Sequence, residues 1–268
     1  MIDRGIGNVL GVGVHAVDYE SAVSRIIESA KAGRRCTTSA LAVHGVMTGA
    51  LDSVHRYRLN HLDLVVPDGR PVCWALNLLH RAGLRDVVFG PRLTGLLCEE
   101  AARQDIPVYF YGSTGETLAK LQANLLQKFP GIVIAGMEPS KFRKLTEEEQ
   151  LEAAQRIRDS GAGILFAGLG CPRQEVFAFE MGNLLSIPIL AVGAAFDYHA
   201  GLLTDTPRFL ERLGLRWLHR LVQEPRRLWR RYLITNTQFV VMFLAQWLHL
   251  WRPRLEDTTQ PAGNLRFG

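Results

Sequence analysis

Asp68 is the first residue whose type and position could do chemistry. It follows the apolar run Leu62-Asp63-Leu64-Val65-Val66, which reads as a strand, and stands in Pro67-Asp68-Gly69 at that strand's end. Open α/β sheets bind ligands there, and a carboxylate at that point could take the proton of a hydroxyl. Pro-Asp-Gly is also a common turn sequence, so the local pattern leaves base and turn side by side. A second stretch, Ile164 to Glu175, reads ILFAGLGCPRQE. Its apolar start suits a strand buried on both faces. Gly168 and Gly170 then let a ligand approach the backbone, and Pro172 suits the start of a helix whose first turn carries Gln174. Strand, glycine turn and helix start is the arrangement that holds phosphates at a sheet edge. An ordinary β–α connection with its polar residues in water has the same pattern.

Other candidates are weaker. Thr37, Thr38 and Ser39 are read as the end of an earlier strand, where they could bond a ligand or cap the next helix. Gly112-Ser113-Thr114-Gly115 could hold phosphate but lacks the Gly-Lys-Ser/Thr of a P-loop. Gly11-Val12-Gly13 lacks the third glycine of a dinucleotide fingerprint, which counts against an oxidoreductase. Asp197 and His199 follow a later strand and could meet a ligand. No HExxH and no Asp-x-Asp occurs, so the sequence makes no case for a metal. A diphosphate leaving group would then need arginines, which bind phosphate oxygens through two parallel bonds. Arg220, Arg227 and Arg230 are the obvious source, although a solvated or lipid-facing basic helix would look the same.

These residues need a scaffold, and the pattern supplies one. Apolar strand-length runs alternate with helical patterns from Val9–Val14 to Ile187–Val192. That predicts an α/β fold with a Rossmann-like, mostly parallel open sheet flanked by helices over residues 1–203. Asp18 is placed to cap a helix over 19–32, and Thr146-Glu147-Glu148-Glu149 reads as a capping box. The chain has 268 residues and a net charge of +5. Between Arg208 and Arg231, eight arginines face only Glu211 and Glu224, a local balance of +6, so the rest is near neutral. Apolar and basic positions there recur at helical spacing, predicting two short amphipathic helices joined at Glu224-Pro225. Residues 204–255 thus read as a basic helical appendage that docks on a membrane surface, helped by its tryptophans. The polar stretch 256–268 is expected to be disordered. Four scattered cysteines, without a CxxC pair, fit reduced thiols. The N-terminus has no signal-peptide core, and no apolar run reaches a membrane-spanning length.

Several blocks together resemble the WecG/TagA/CpsF family of bacterial glycosyltransferases (glycosyltransferase family 26). They are Leu64–Gly69, Gly168–Glu175, Gly193–Asp197, Gly214–Leu221 and the arginine run from Glu224 to Leu233, in that order along the chain. The resemblance implies an inverting, metal-independent transfer from a UDP-sugar, typically UDP-N-acetylmannosamine, to a polyprenyl-diphosphate-linked sugar. The work would be done peripherally, at the inner face of the plasma membrane. It gives Asp68 the place of the general base, sets Gln174 near the donor, and sets Arg220, Arg227 and Arg230 near the diphosphate. Ser39 stands where many members carry an amide, and Arg92 where an acid is common, which implies a different donor or acceptor sugar. A homo-oligomer is compatible with the sequence. The rival readings are a nucleic-acid-binding module, argued against by the Leu and Trp between the arginines, and a non-catalytic nucleotide-binding or scaffold protein.

Overall fold

The computed structural model describes residues 1–268, the side chains of Arg208 and Arg212 excepted. Six strands form one parallel sheet: β3 (Cys36–Leu41), β4 (Leu64–Pro67), β5 (Val108–Gly112), β6 (Ile134–Glu138), β7 (Ile164–Gly168) and β8 (Pro188–Ala191). Their order across the sheet is β4-β3-β8-β7-β5-β6, with every pairing parallel. Side chains alternate between two cores, as period-two pleating requires. Ile164 and Phe166 enter one core while Leu165 and Ala167 enter the other. The predicted α/β architecture is therefore the observed one. The connection leaving β5 leads outward to β6, whereas the one leaving β7 leads inward to β8. Neighbouring strands whose connections diverge leave a crevice at their carboxyl ends, here between Gly112 and Gly168.

A hairpin precedes the sheet. The single strand expected over Val9–Val14 is two strands, β1 (Asp3–Val9) and β2 (Val12–Val17), paired antiparallel. Leu10 and Gly11 form the turn between them, both at positive φ (56° and 85°), the geometry of a tight hairpin. A leucine in that position hid the turn. Helix α1 (Tyr19–Lys31) starts at Asp18 as predicted, the carboxylate accepting from Ser21 N at 2.9 Å. Between β3 and β4 come two helices, α2 (Val43–Leu51) and α3 (Ser53–Asn60), divided where Asp52 caps the second through Val54 N and His55 N. Then follow α4 (Arg70–His80), α5 (Gly90–Arg103), α6 (Gly115–Lys128), α7 (Glu147–Asp159), α8 (Arg173–Met181) and the short α9 (Ala195–His199). The capping box of Thr146 and Glu149 is present at α7.

The C-terminal region departs most from expectation. Helices α10 (Arg208–Arg212) and α11 (Arg216–Gln223) are short, but α12 runs unbroken for 23 residues, Pro225–Trp247. Proline at its first turn starts the helix, since the missing N–H has no partner to lose there. The far half of α12 belongs to the core: Phe239 is buried in it, with Met242 and Phe243 packed alongside. Gln246 locks this half to the hairpin, its Oε1 accepting from Leu10 N (2.9 Å) and its Nε2 donating to Asn8 O (3.0 Å). Residues 256–268, expected to be disordered, run back along the core. Leu145 N donates to Arg266 O, Ser140 Oγ donates to Gly268 O, and Arg266 Nε donates to Gln150 Oε1. Composition missed these because each bond joins residues over a hundred positions apart. No described helix is long and apolar enough to cross a membrane.

Helix α8, which carries the glycine turn at its head, is held on α3 by Arg58 and Glu180, 3.6 Å apart and each 3% exposed. Burial pushes the Glu180 carboxyl up despite the nearby guanidinium, so the pair positions α8 more than it stabilises the fold. Glu180→Ala leaves Arg58 buried and alone, and is expected to cost about 3–5 kcal/mol in urea titrations. Arg58→Met with Glu180→Leu should recover most of that. Equal losses in the single and double variants would show that the charge is not the cause.

Candidate active site

Asp68 lies one residue beyond β4, at the carboxyl edge of the sheet. Its Oδ2 accepts from Gly90 N (3.2 Å) at the head of α5. Glycine eases the packing here, since a Cβ on Gly90 would sit a tight 3.2 Å from Val192 O and 3.3 Å from Ala40. This close approach of α5 to β3 and β8 brings its amide to the carboxylate. The carboxyl is part-buried, and desolvation raises its pKa from 3.8 to about 6, against the opposing pull of the Gly90 amide, Arg216 and Arg220. Tyr19 and Tyr198 face the same centre, as both feel the Asp68 charge. Tyr19 Oη accepts from Phe89 N (2.9 Å), and Tyr198 meets Phe89 edge-on at 5.5 Å.

The arginines come from α11. Arg216 lies over the Phe89 ring at 3.9 Å and pairs with Glu211. Arg220 pairs with Glu224 at 3.3 Å, and its charge reaches Asp68, Asp197 and Tyr198. A cleft of about 870 Å³ opens beside this centre, walled by Phe89, Arg92, Lys128, Tyr198, His199 and Arg216. That volume is in the range of small-molecule sites, although Asp68 lies at its border and not on its wall. His199 Nε2 bonds Pro91 O at 2.8 Å, and burial holds the ring below its ordinary pKa.

The second cluster lies on the opposite face of the sheet, under the turn after β7. Gly168 packs beneath the Phe196 ring, where a Cβ would come within 2.7 Å, and Gly170 turns at φ 75°. Pro172 sits just ahead of α8, and Gln174 N donates to Gly170 O (3.0 Å) to start the helix. Gln174 Nε2 and Ser39 Oγ both donate to Glu175 Oε1, at 2.9 and 3.2 Å. Gln174 Oε1 and Glu175 Oε2 are buried without a partner. Burial pushes the Glu175 carboxyl up. An amide oxygen left unpaired beside Gly193 can accept from a ligand hydroxyl or N–H. Among the described residues, no three His, Cys, Asp or Glu side chains converge as metal ligands.

The predicted residues therefore divide. Asp68, Asp197 and Arg220 come together at one end, and Gly168, Gly170, Gln174 and Ser39 at the other. Thr37 joins neither, because β3 runs on to Leu41, two residues beyond the expected end at Ser39. Thr37 lies at the amino end of the strand, its amide and hydroxyl both donating to Asp63 Oδ2 at 2.8 Å. Arg227 is exposed and tied to Glu224 at 2.6 Å, while Arg230 is exposed. Arg216, Arg231, Tyr19 and Tyr198 were not singled out from the sequence. The four-residue spacing of Arg212, Arg216 and Arg220 was the one signal that Arg216 could share the face of Arg220.

The raised pKa of Asp68 has a sign that can be checked. The folded protein holds this proton more tightly than the unfolded chain. Its contribution to stability is thus complete below about pH 3.8 and lost as pH rises through about 6. At 1.36 kcal/mol per unit the loss is about 3 kcal/mol. Asp68→Asn should escape it, gaining about that much on wild type between pH 3.5 and 7.5 in urea titrations. Parallel pH profiles for the two proteins would contradict a desolvated carboxylate.

Comparison with known proteins shows the family to which the chain belongs. A curated relative from Bacillus spizizenii, named N-acetylglucosaminyldiphosphoundecaprenol N-acetyl-beta-D-mannosaminyltransferase, is 31% identical over 176 residues. The match spans 65% of this chain and 66% of the relative, just under two thirds of its length. The sequence profile described as the glycosyl transferase WecG/TagA/CpsF family matches residues 7–253, hairpin, sheet and α12 together. A part-buried carboxylate at a strand end, faced by arginines from the C-terminal helices, is thus set in a chain that belongs to the WecG/TagA/CpsF family of glycosyltransferases.

Proposed function

We propose that this protein transfers a sugar, N-acetylmannosamine or a related hexose or uronic acid, from a UDP-sugar to a polyprenyl-diphosphate-linked N-acetylglucosamine. The observation that carries this reading is the part-buried Asp68 carboxyl faced by Arg216 and Arg220. The name of the Bacillus relative supports the acceptor and the N-acetylmannosamine unit. In this reading the nucleotide occupies the crevice between Gly112 and Gly168, and its diphosphate lies along the turn before α8. Cys171 of that turn lies against Gly45 beside Leu41, whose carbonyl accepts from Asp68 N (3.1 Å), so the turn leads from the crevice toward the base. The acceptor enters by the cleft beside Phe89 and Tyr198.

Chemistry is then a single displacement without a metal. Asp68 takes the proton of the acceptor hydroxyl as its oxygen bonds to the anomeric carbon. The bond from that carbon to the diphosphate oxygen breaks, UDP leaves with the electron pair, and the configuration inverts. Base assistance of this kind contributes about 10²–10⁴ in rate. Arginines aimed at the departing diphosphate stabilise charge that develops only in the transition state. The base has to be ionised, and with its pKa near 6 it is mostly so at neutral pH.

Membrane attachment is part of the proposal. Helix α11 has no buried residue, and exposed Trp229 (56%) and Leu233 (65%) on α12 accompany exposed Arg226, Arg227 and Arg230. Exposed tryptophan and leucine beside basic residues suit the interface of an anionic bilayer.

A panel of UDP-sugars offered with a short-chain polyprenyl-diphosphate-GlcNAc, read by mass spectrometry, tests the reading; no product with any donor would refute it. Asp68→Asn is expected to keep UDP binding and lose about 10²-fold or more in turnover. Wild-type kcat/KM should fall below about pH 6, and that acid limb should be absent from the residual activity of the variant. Near-wild-type turnover in the variant would remove Asp68 as base. Trp229→Ser with Leu233→Ser should cut sedimentation with anionic vesicles about tenfold or more at an unchanged melting temperature. Unchanged sedimentation would count against this face.

A further inference from the structure

Residues 265–268 lie outside the span 7–253 shared with the family, yet they reach the carboxyl edge of the sheet. Lys144 and Phe267 form a single antiparallel β-bridge. Leu145 N donates to Arg266 O at 3.0 Å, and Gly268 N donates to Arg143 O at 3.3 Å. Arg266 grips α7, its Nε donating to Gln150 Oε1 (3.0 Å) and its Nη2 to Glu147 Oε2 (3.1 Å). Gly268 is buried against Tyr111 of β5 and Leu145, where a Cβ would come within 2.6 Å of each.

This segment joins the two lips of the crevice between Gly112 and Gly168. On one lip, Ser113 follows β5 and its N donates to Gly168 O (3.1 Å). Ser140, after β6, donates from its N to Ser113 O (3.0 Å) and from its Oγ to Gly268 O (2.7 Å). Three hydrogen bonds thus run in series from the Gly168 backbone to the segment. On the other lip, Arg173 opens α8 directly after the glycine turn, and its guanidinium lies over the Phe267 ring at 5.7 Å. Arg173 is exposed and Phe267 half-buried, so both keep surface open to the crevice side. An aromatic ring and a guanidinium plane are the two flat side-chain surfaces on which a nucleobase stacks.

We infer that residues 265–268 wall the base end of the crevice, with the Phe267 ring packing against the uracil of the donor. This rests on the glycosyl-transfer reading for the place of the nucleotide in the crevice. Phe267 is then a binding residue for the nucleoside and takes no part in the proton chemistry at Asp68. Its contact with the base is the same before and during transfer. Such a contact sets the KM of the donor and leaves kcat alone.

Titration calorimetry with UDP on the full chain tests this, joined to kinetics with the productive UDP-sugar and a short-chain prenyl-diphosphate-GlcNAc. Phe267→Leu keeps the apolar packing but removes the flat ring. It should weaken UDP about fivefold or more, the low end of base stacking on an aromatic side chain. Phe267→Tyr should bind UDP within twofold of wild type. In Phe267→Leu the donor KM should rise by the same factor as the loss of UDP affinity, with kcat, acceptor KM and melting temperature unchanged. Thr259→Ala, further back in the tail where the hydroxyl meets Ser53 Oγ (2.8 Å), should leave UDP binding as in wild type. UDP affinity of Phe267→Leu within twofold of wild type would overturn the wall. So would a fall in kcat or a rise in acceptor KM as large as the rise in donor KM, the mark of general loosening. Wild type that binds UDP through Phe267 but forms no product with any UDP-sugar would overturn the glycosyl-transfer reading and leave the wall standing. Wild type that binds no UDP would overturn both.

Discussion

A carboxylate drawn partly out of water at the edge of a parallel sheet sets the terms for the rest of this molecule. Asp68 is part-buried because β4 ends at Pro67 and α5 comes in close behind it, with Gly90 easing the approach. Desolvation favours the neutral acid, while one backbone amide and two guanidinium charges favour the ion. The balance leaves the group titrating near 6 and not near 4. A carboxylate in water would be too weak a base to help a hydroxyl, and one left wholly unpaired would stay protonated at neutral pH. The arginines that hold it between these limits come from α11, which is separated from β4 by most of the chain. Fold and appendage are therefore coupled through one ionisation.

That coupling explains why the C-terminal region is only half an appendage. If α12 were free, Arg216 and Arg220 on α11 would have no fixed place relative to Asp68. The far half of α12 supplies the anchor: Phe239 enters the core, and Gln246 takes both backbone groups that the hairpin turn leaves available. The near half, with its exposed Trp229 and outward arginines, keeps an open face. One helix thus serves as a core element at one end and an amphipathic surface at the other. Its two buried residues, Leu228 and Phe239, are eleven positions apart and so lie on one face of the helix.

The parallel sheet was legible in the sequence because strands buried on both faces leave long apolar runs, and Asp68 because it follows such a run directly. The glycine turn was legible as well, since close backbone approach leaves few alternatives to glycine. What the sequence hid depends on tertiary contact. Thr37 looked like the end of a strand, but pairing of β3 with β4 and β8 sets its register two residues further on, where Leu41 is the last residue. The Leu10–Gly11 turn was masked by a buried leucine. The tail looked free because its bonds to Ser140, Leu145 and Gln150 are not local. Among eight arginines of one type, spacing alone could not say which turn inward. Arg231 does so because α12 lies on α2, a contact that no periodicity encodes.

The arrangement of charge along α11 and α12 then has a physical logic. Glu211 and Glu224 hold Arg216, Arg220 and Arg227 in place without any ligand, so these cations are positioned before a substrate arrives. Exposed pairs of this kind contribute little to stability, and their value here is geometric. Pairing also lowers the field that such a cluster would otherwise exert on the core. Arg231 lies outside this scheme. With no carboxylate to hold it, its charge is spent on His44 and Cys171, neither of which can neutralise it. Positive charge near Asp68 is therefore buffered, so the base keeps a pKa that suits neutral pH. Near the glycine turn stands the Glu175 carboxyl, pushed up by burial and bonded to Ser39 and Gln174 rather than to an arginine.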